Sequence, residues 1–246
     1  MEEKLLNILI LKEIFPVILM SLYVSISSTL IASTVGMLLG IPTALMNFKG
    51  KRVLVHITNT LMSIPPVFMG LVVYIFLSRR GPLGNFQLLF TPTAMIIAQT
   101  LLIIPIIYGL TVSIISKNGD IIKNTCTSLG ANRKEVFLMI IKENKTQLLS
   151  AITAGFGRAI SEVGAVMIVG GNIKGFTRVM TTYIALETGK GNFNEALIIG
   201  IVLLTISFIV NGLLHLFGER ERAYENRSCK CIKRIQGNKS IRSREY

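Results

Sequence analysis

Arg158 and Glu162 are the only charged residues between Lys145 and Lys174. A central charge in an apolar span costs about 2.5–3.5 kcal/mol on insertion scales, so such residues face a bundle interior or water. Their spacing of four lets them pair on one helix face. Two readings follow: the pair neutralises itself and fixes helix register, or, with Gly164 just beyond, it stands at a pathway or its gate. Between Asn172 and Asn194, Thr177, Arg178, Thr181 and Thr182 are donors that attract a tetrahedral oxyanion or shape a surface for a protein partner. Chemistry of other kinds finds little support. His56 and His215 are isolated, and no His-Glu-x-x-His or Ser–His–Asp arrangement can be assembled. No Gly-x-x-x-x-Gly-Lys-Ser/Thr phosphate loop is present, so the chain does not itself use ATP. Cys229 and Cys231 lack a neighbouring His and read as free thiols rather than metal ligands. Neither a metal nor a cofactor is implied, and catalysis is not expected.

The elements that hold these residues are set by composition. Apolar residues make up 51 % of the 246, charged ones 16 %, and mean hydropathy is +0.60. Disorder is excluded by that apolarity, and a disulfide-stapled module by three cysteines in so long a chain. No charge falls between Glu13 and Lys49, Arg52 and Arg79, Arg80 and Lys117, or Glu195 and Glu219. A crossing needs about 20 apolar residues. Spans are therefore expected near Val17–Met46, Leu54–Ser78, Thr91–Ser116 and Ala196–Phe217, with Pro42 bending or ending the first. The segment carrying Arg158 and Glu162 makes a fifth. The fold class is thus all-α integral membrane, because an open sheet cannot satisfy its backbone in lipid.

Residues 1–15 place Leu5, Leu6, Leu9, Ile10 and Ile14 at helical spacing. They form either an interfacial amphipathic helix or a frayed first turn of the first span. The transmembrane domain covers 16–217, and 218–246 is a basic tail. With five spans, Lys49, Lys51 and Arg52, the six basic residues between Lys117 and Lys145, and the nine of the tail share one side. Lys4, Lys12, Arg79, Arg80, Lys174, Arg178 and Lys190 take the other. Basic loops stay cytoplasmic, which puts the N-terminus outside and the C-terminus in the cytoplasm of a cell-membrane protein. Cys126 and the tail thiols then face a reducing compartment. The net charge of +13 follows from this topology and suits anionic lipid rather than nucleic acid.

The cytoplasmic connection 117–147 has apolar positions Ile121, Ile122 and Leu129, then Val136, Phe137, Ile140 and Ile141. These spell two short helices with one apolar stripe each, turning at Gly130, the second capped by Asn132 with Glu135 three residues on. The stripes pack either on the protein's own span ends or into a groove on a soluble partner.

The run from Asn124 through Leu129, Gly130 and Ala131 to Ile140 resembles the cytoplasmic EAA loop of ABC importer permeases: Glu-Ala-Ala, three residues, Gly, nine residues, Ile, one residue, Leu-Pro. Gly130 and Ile140 match the motif. Asn124 replaces its acid, Thr125 and Cys126 its alanines, and Lys142-Glu143 its Leu-Pro. Phe156-Gly-Arg-Ala-Ile-Ser-Glu-Val-Gly-Ala165 followed by Gly170-Gly-Asn172, and Ser63-Ile-Pro-Pro-Val-Phe-Met-Gly70, are similar to segments of molybdate, tungstate and sulfate permeases. The run Thr177–Glu187 resembles the tungstate-type members most. The resemblance implies a permease of five transmembrane helices working as a homodimer by alternating access. It also implies an ABC ATPase subunit dimer meeting Asn124, Leu129, Gly130, Ala131, Glu135 and Ile140. An extracytoplasmic oxyanion-binding protein would meet the loop of Thr177, Arg178, Thr181 and Thr182. A small-residue ridge of Ser150, Ala154, Gly157, Ser161 and Ala165 would allow close helix packing. The remaining alternatives are a molybdate or sulfate permease, and a secondary transporter that needs no ATPase.

Overall fold

The computed structural model describes residues 2–214 and 216 apart from 47, with side chains from Ile14 onward except at 118. The basic tail with Cys229 and Cys231 lies outside the described residues. Among the described residues the chain is helical, without strands. The helices are α1 (Glu2–Leu45), α2 (Lys51–Met62), α3 (Pro66–Leu77), α4 (Pro92–Ser128), α5 (Arg133–Ile160), α6 (Gly164–Gly170), α7 (Met180–Gly189) and α8 (Phe193–Leu214).

Three apolar stretches are long enough to cross a bilayer: Ile14–Leu45 in α1, Pro92–Lys117 in α4, and α8. The pairs α2–α3 and α5–α6 complete up to five crossings if each bent pair counts as one. α1 runs unbroken through Pro16 and ends three residues after Pro42. The second expected span is not one helix. It is bent by 99° between α2 and α3, because Pro65 and Pro66 have no N–H to continue α2, while Pro66 suits the first turn of a new helix. The fifth is bent by 57° between α5 and α6.

α1 and α4 form the central pair, and α5 lies along α4. Small residues set the α1–α4 distance. A Cβ on Gly36 would sit 3.0 Å from Ile107 Cγ2, and one on Gly40 3.0 Å from Thr111 Cβ. Lipid tails are as apolar as leucine, so close backbone approach and buried polar contacts hold such helices together. α1 supplies both, since its buried face includes Ser21, Ser25, Ser28 and Thr29. α8, by contrast, leaves Leu197, Ile201, Leu204 and Phe208 exposed.

The two short helices expected in 117–147 are the projecting ends of long ones. α4 continues past its apolar window to Ser128, and α5 starts at Arg133 and enters the bundle without interruption.

Candidate functional site

Two structured features and one loop carry the residues singled out by type and spacing. The first feature is the elbow between α4 and α5. Gly130 has φ +83°, a left-handed conformation that glycine adopts without steric cost. Its N–H donates to Thr127 O at 3.0 Å, and the Ala131 N–H donates to Cys126 O at 3.0 Å. This pairing closes the end of α4. α5 begins two residues later, where the Asn132 N–H donates to Glu135 Oε2 at 2.7 Å, one arm of the expected capping box.

The elbow's apolar residues divide. Val136 and Ile140 are buried against Ile41, Tyr108, Val112 and Ile115, with Ile122, Ala131, Phe137 and Ile141 packed partly on them. Ile140, expected on a partner-facing surface, is instead fully buried in the core, because the stripe of α5 that carries it faces the ends of α1 and α4. Leu129 stays 82 % exposed and Ile121 68 %. Asn124, Gly130 and Glu135 are exposed as well. A Cβ on Gly130 would meet nothing within 4 Å.

The second feature is the break between α5 and α6. Arg158 Nη1 lies 3.1 Å from Glu162 Oε2, so the two residues pair as their spacing requires. They do so across a helix end rather than along a straight helix, since α5 stops at Ile160. Glu162 is 3 % exposed while the Arg158 side chain is 38 % exposed. Glu162 Oε1 also accepts from the Ala165 N–H at 3.3 Å, satisfying a donor in the first turn of α6. Its backbone carbonyl accepts from Thr181 Oγ1 at 2.8 Å.

Gln99 completes the break, and sequence reading passed over it. Its Nε2 donates to Ala159 O at 3.1 Å, a carbonyl in the last turn of α5 that also accepts from the Glu162 N–H at 3.2 Å. Its Oε1 accepts from Ser28 Oγ at 2.9 Å. One side chain of α4 therefore ties α1 to the terminus of α5. The available signal was an amide inside a long apolar span, which must find partners where there is no water.

α3 seals the other side. A Cβ on Gly164 would sit 2.7 Å from Val67 Cγ2, and one on Gly70 2.7 Å from Ala165 Cα. The Pro-Pro segment and the Arg158–Glu162 segment, far apart in sequence, are thus packed together. The small-residue ridge does not form as one packed strip. Ser150, Ala154 and Ser161 are exposed on α5 and its end, while Ala165, beyond the bend, is buried in α6.

In the loop from Asn172, three of the four expected surface donors point inward. Thr177, Thr181 and Thr182 are buried. Thr177 Oγ1 donates to Gly170 O at 2.6 Å and accepts from the Ile173 N–H at 3.0 Å. Thr182 Oγ1 accepts from the Val179 N–H at 3.1 Å and lies 3.0 Å from Asn172 Oδ1. Backbone groups of a tight loop need partners, and these hydroxyls supply them. Arg178 remains partly exposed, its guanidinium carbon 5.2 Å from the Tyr183 ring centroid. The first turn of α7 is closed from α1, where Ser21 Oγ accepts the Met180 N–H at 2.7 Å. At its other end, buried Glu187 is held by Lys190 Nζ at 2.7 Å and Asn192 Nδ2 at 2.9 Å.

The sequence that folds in this way has relatives. Residues 36–223 match the family described as binding-protein-dependent transport system inner membrane component. A tungstate uptake system permease protein, TupB of Peptoclostridium acidaminophilum, is 49 % identical over 203 residues, covering 82 % of this chain and 89 % of that protein. A probable anion ABC transporter permease protein of Haloferax volcanii is 38 % identical over 205 residues, 81 % of this chain and 88 % of its own. The sulfate transport system permease protein CysW of Escherichia coli K12 is 26 % identical over 209 residues, 79 % and 72 % of the two chains.

Proposed function

The chain belongs to the inner membrane components of binding-protein-dependent transport systems, and from that premise we propose that it forms the translocation pathway of an ATP-driven importer for tungstate. The similarity to a tungstate uptake permease over most of both chains carries this reading. In it, two copies of the chain enclose the pathway, two ATPase subunits dock below, and an oxyanion-binding protein delivers cargo from outside. Hydrolysis belongs to the ATPase chains, and this chain converts their motion. The N-terminus lies outside and the C-terminus in the cytoplasm.

The geometry supplies a route for that conversion. α5 is one 28-residue helix from the elbow to the Arg158–Glu162 break, about 42 Å long at 1.5 Å per residue. Exposed Leu129 and Asn124, beside Gly130, offer the ATPase a contact at its near end. Closure of the ATPases displaces the elbow, and the rigid helix delivers the displacement to the break, where α3 and α6 repack. Such transmission needs an element with two discrete arrangements, and the Arg158–Glu162 bond across the bend is the contact that distinguishes them.

The test is reconstitution of the chain in proteoliposomes with its ATPase and binding protein, followed by uptake of labelled tungstate, molybdate and sulfate. ATP-dependent uptake with tungstate taken at the lowest concentration is expected. Preference for molybdate or sulfate overturns the choice of cargo. Uptake by the chain alone, without ATP, overturns the importer reading and leaves a secondary transporter.

A further inference from the structure

A cavity of about 190 Å³ opens between the start of α1 and the loop that leads into α7. Val17 and Met20 form one wall, Phe176 and Tyr183 another, and Lys174 and Arg178 supply two cationic groups. The candidate span of α1 begins at Ile14, so Val17 and Met20 occupy the first turns of the apolar stretch. The cavity therefore sits where headgroups give way to hydrocarbon, and aromatic residues favour that depth. Arg178 is fixed in place: its Nε donates to Asn172 Oδ1 at 3.3 Å and its face lies over Tyr183. Its two Nη groups carry no hydrogen bond among the described residues. A guanidinium positioned by its stem and open at its fork is suited to a phosphate.

We infer that this cavity binds the headgroup phosphate of an anionic phospholipid, with an acyl chain running along Val17 and Met20. A free inorganic oxyanion would gain from Lys174 and Arg178 but nothing from the apolar walls. A zwitterionic lipid would fill the walls but bring a cationic group towards Lys174 and Arg178. An anionic lipid satisfies both surfaces. The assignment rests on the membrane position of the chain alone and is independent of the cargo it carries.

Native mass spectrometry of the full-length chain in detergent, titrated with dioctanoyl phosphatidylglycerol and dioctanoyl phosphatidylcholine, tests this. Phosphatidylglycerol is expected to bind more tightly. Replacing both cations, Lys174→Gln with Arg178→Gln, should weaken it about thirtyfold, the effect of two basic residues near a charged lipid surface, and leave phosphatidylcholine unchanged. Lys174→Gln alone, at an exposed position, should give about fivefold, with phosphatidylcholine binding of the same variant as the control for its fold. Lys174→Arg with Arg178→Lys should restore the preference. Unchanged phosphatidylglycerol affinity in Lys174→Gln and in the double variant overturns the site. Displacement of the lipid by equimolar tungstate or inorganic phosphate also overturns the lipid assignment and makes the cavity a free-oxyanion site.

Discussion

Gly70 of α3 lies against the backbone of Ala165 in α6, so close that a Cβ on Gly70 would fall 2.7 Å from Ala165 Cα. Two bent spans meet at this contact, and the neighbour is main chain, which cannot swing aside. Gly70→Ala is therefore expected to destabilise the protein by about 1–3 kcal/mol, the usual cost of overpacking. Thermal unfolding of the detergent-solubilised chain reads this directly. A melting temperature equal to that of the parent would mean that α3 and α6 are not held at this distance.

Gly130 presents the opposite case, with a positive φ and empty space around it. Gly130→Ala should cost about 1–2 kcal/mol from the left-handed conformation alone. Gly130→Glu adds a bulky charge at the surface proposed to meet the ATPase. Uptake is expected to fall well below that of Gly130→Ala while ATP hydrolysis by the assembled transporter continues. Equal uptake by the two variants would remove the elbow from the coupling route.

Glu162→Gln keeps an oxygen for the Ala165 N–H and deletes the charge that faces Arg158. Glu162 is buried within a span and Arg158 only partly exposed, so the lost ion pair should cost at most about 2.5–3.5 kcal/mol, the insertion cost of a charge left there without its partner. Uptake should nevertheless drop severalfold if the pair distinguishes two transport states. Parental uptake at parental expression would reduce the pair to a structural role.

Gln99→Leu leaves Ser28 Oγ without its α4 acceptor and Ala159 O without the Gln99 donor. Polar contacts of this kind inside membrane bundles are worth about 0.6 kcal/mol on average and up to about 1.7. A double-mutant cycle of Gln99→Leu with Ser28→Ala should show coupling in that range. Strict additivity of the two changes would show that the amide does not join α1 to α4.

Glu187 titrates outside the spans. The hydrogen bond from Lys190, then that from Asn192, holds its pKa below the ordinary value of 4.5, against the opposing effect of burial. A carboxylate with a lowered folded pKa stabilises the fold fully above its unfolded value and loses that contribution as pH falls through the folded one. Thermal stability should therefore decline below about pH 4.5, and Glu187→Gln should flatten this decline. A parallel decline in the variant would assign it to other groups.

What could be read from sequence follows from what each signal measures. Charge-free intervals report the length of an apolar stretch, so the spans were located to within a few residues. They carry no direction, so the bends at Pro65–Pro66 and at Ser161–Val163 were not foreseen. Spacing rules worked where contacts are local. Asn132 with Glu135, Gly130, and Arg158 with Glu162 all lie within one turn of chain. They failed where the answer depends on a neighbour. Thr177, Thr181 and Thr182 have the chemistry of surface donors, yet the loop and α6 fold over them. Ile140 belongs to a motif that suggests contact with a partner, yet α1 and α4 cover it. Gln99 gains its importance from Ser28 and Ala159, each some 60 or more residues away.

α5 touches α4 in two places, with Ile140 packed near Val112 and Ile115 and Gly155 pressed against Ile103 and Ile107. Each residue of a helix turns the chain by about 100°, so the two patches share a helical phase as well as a separation. One inserted or deleted residue between them would swing the far patch round by about 100°, off its place on α4. Evolution can vary the side chains along this stretch, but its count of residues behaves like a gear tooth number, and changes of length must collect in the ends beyond.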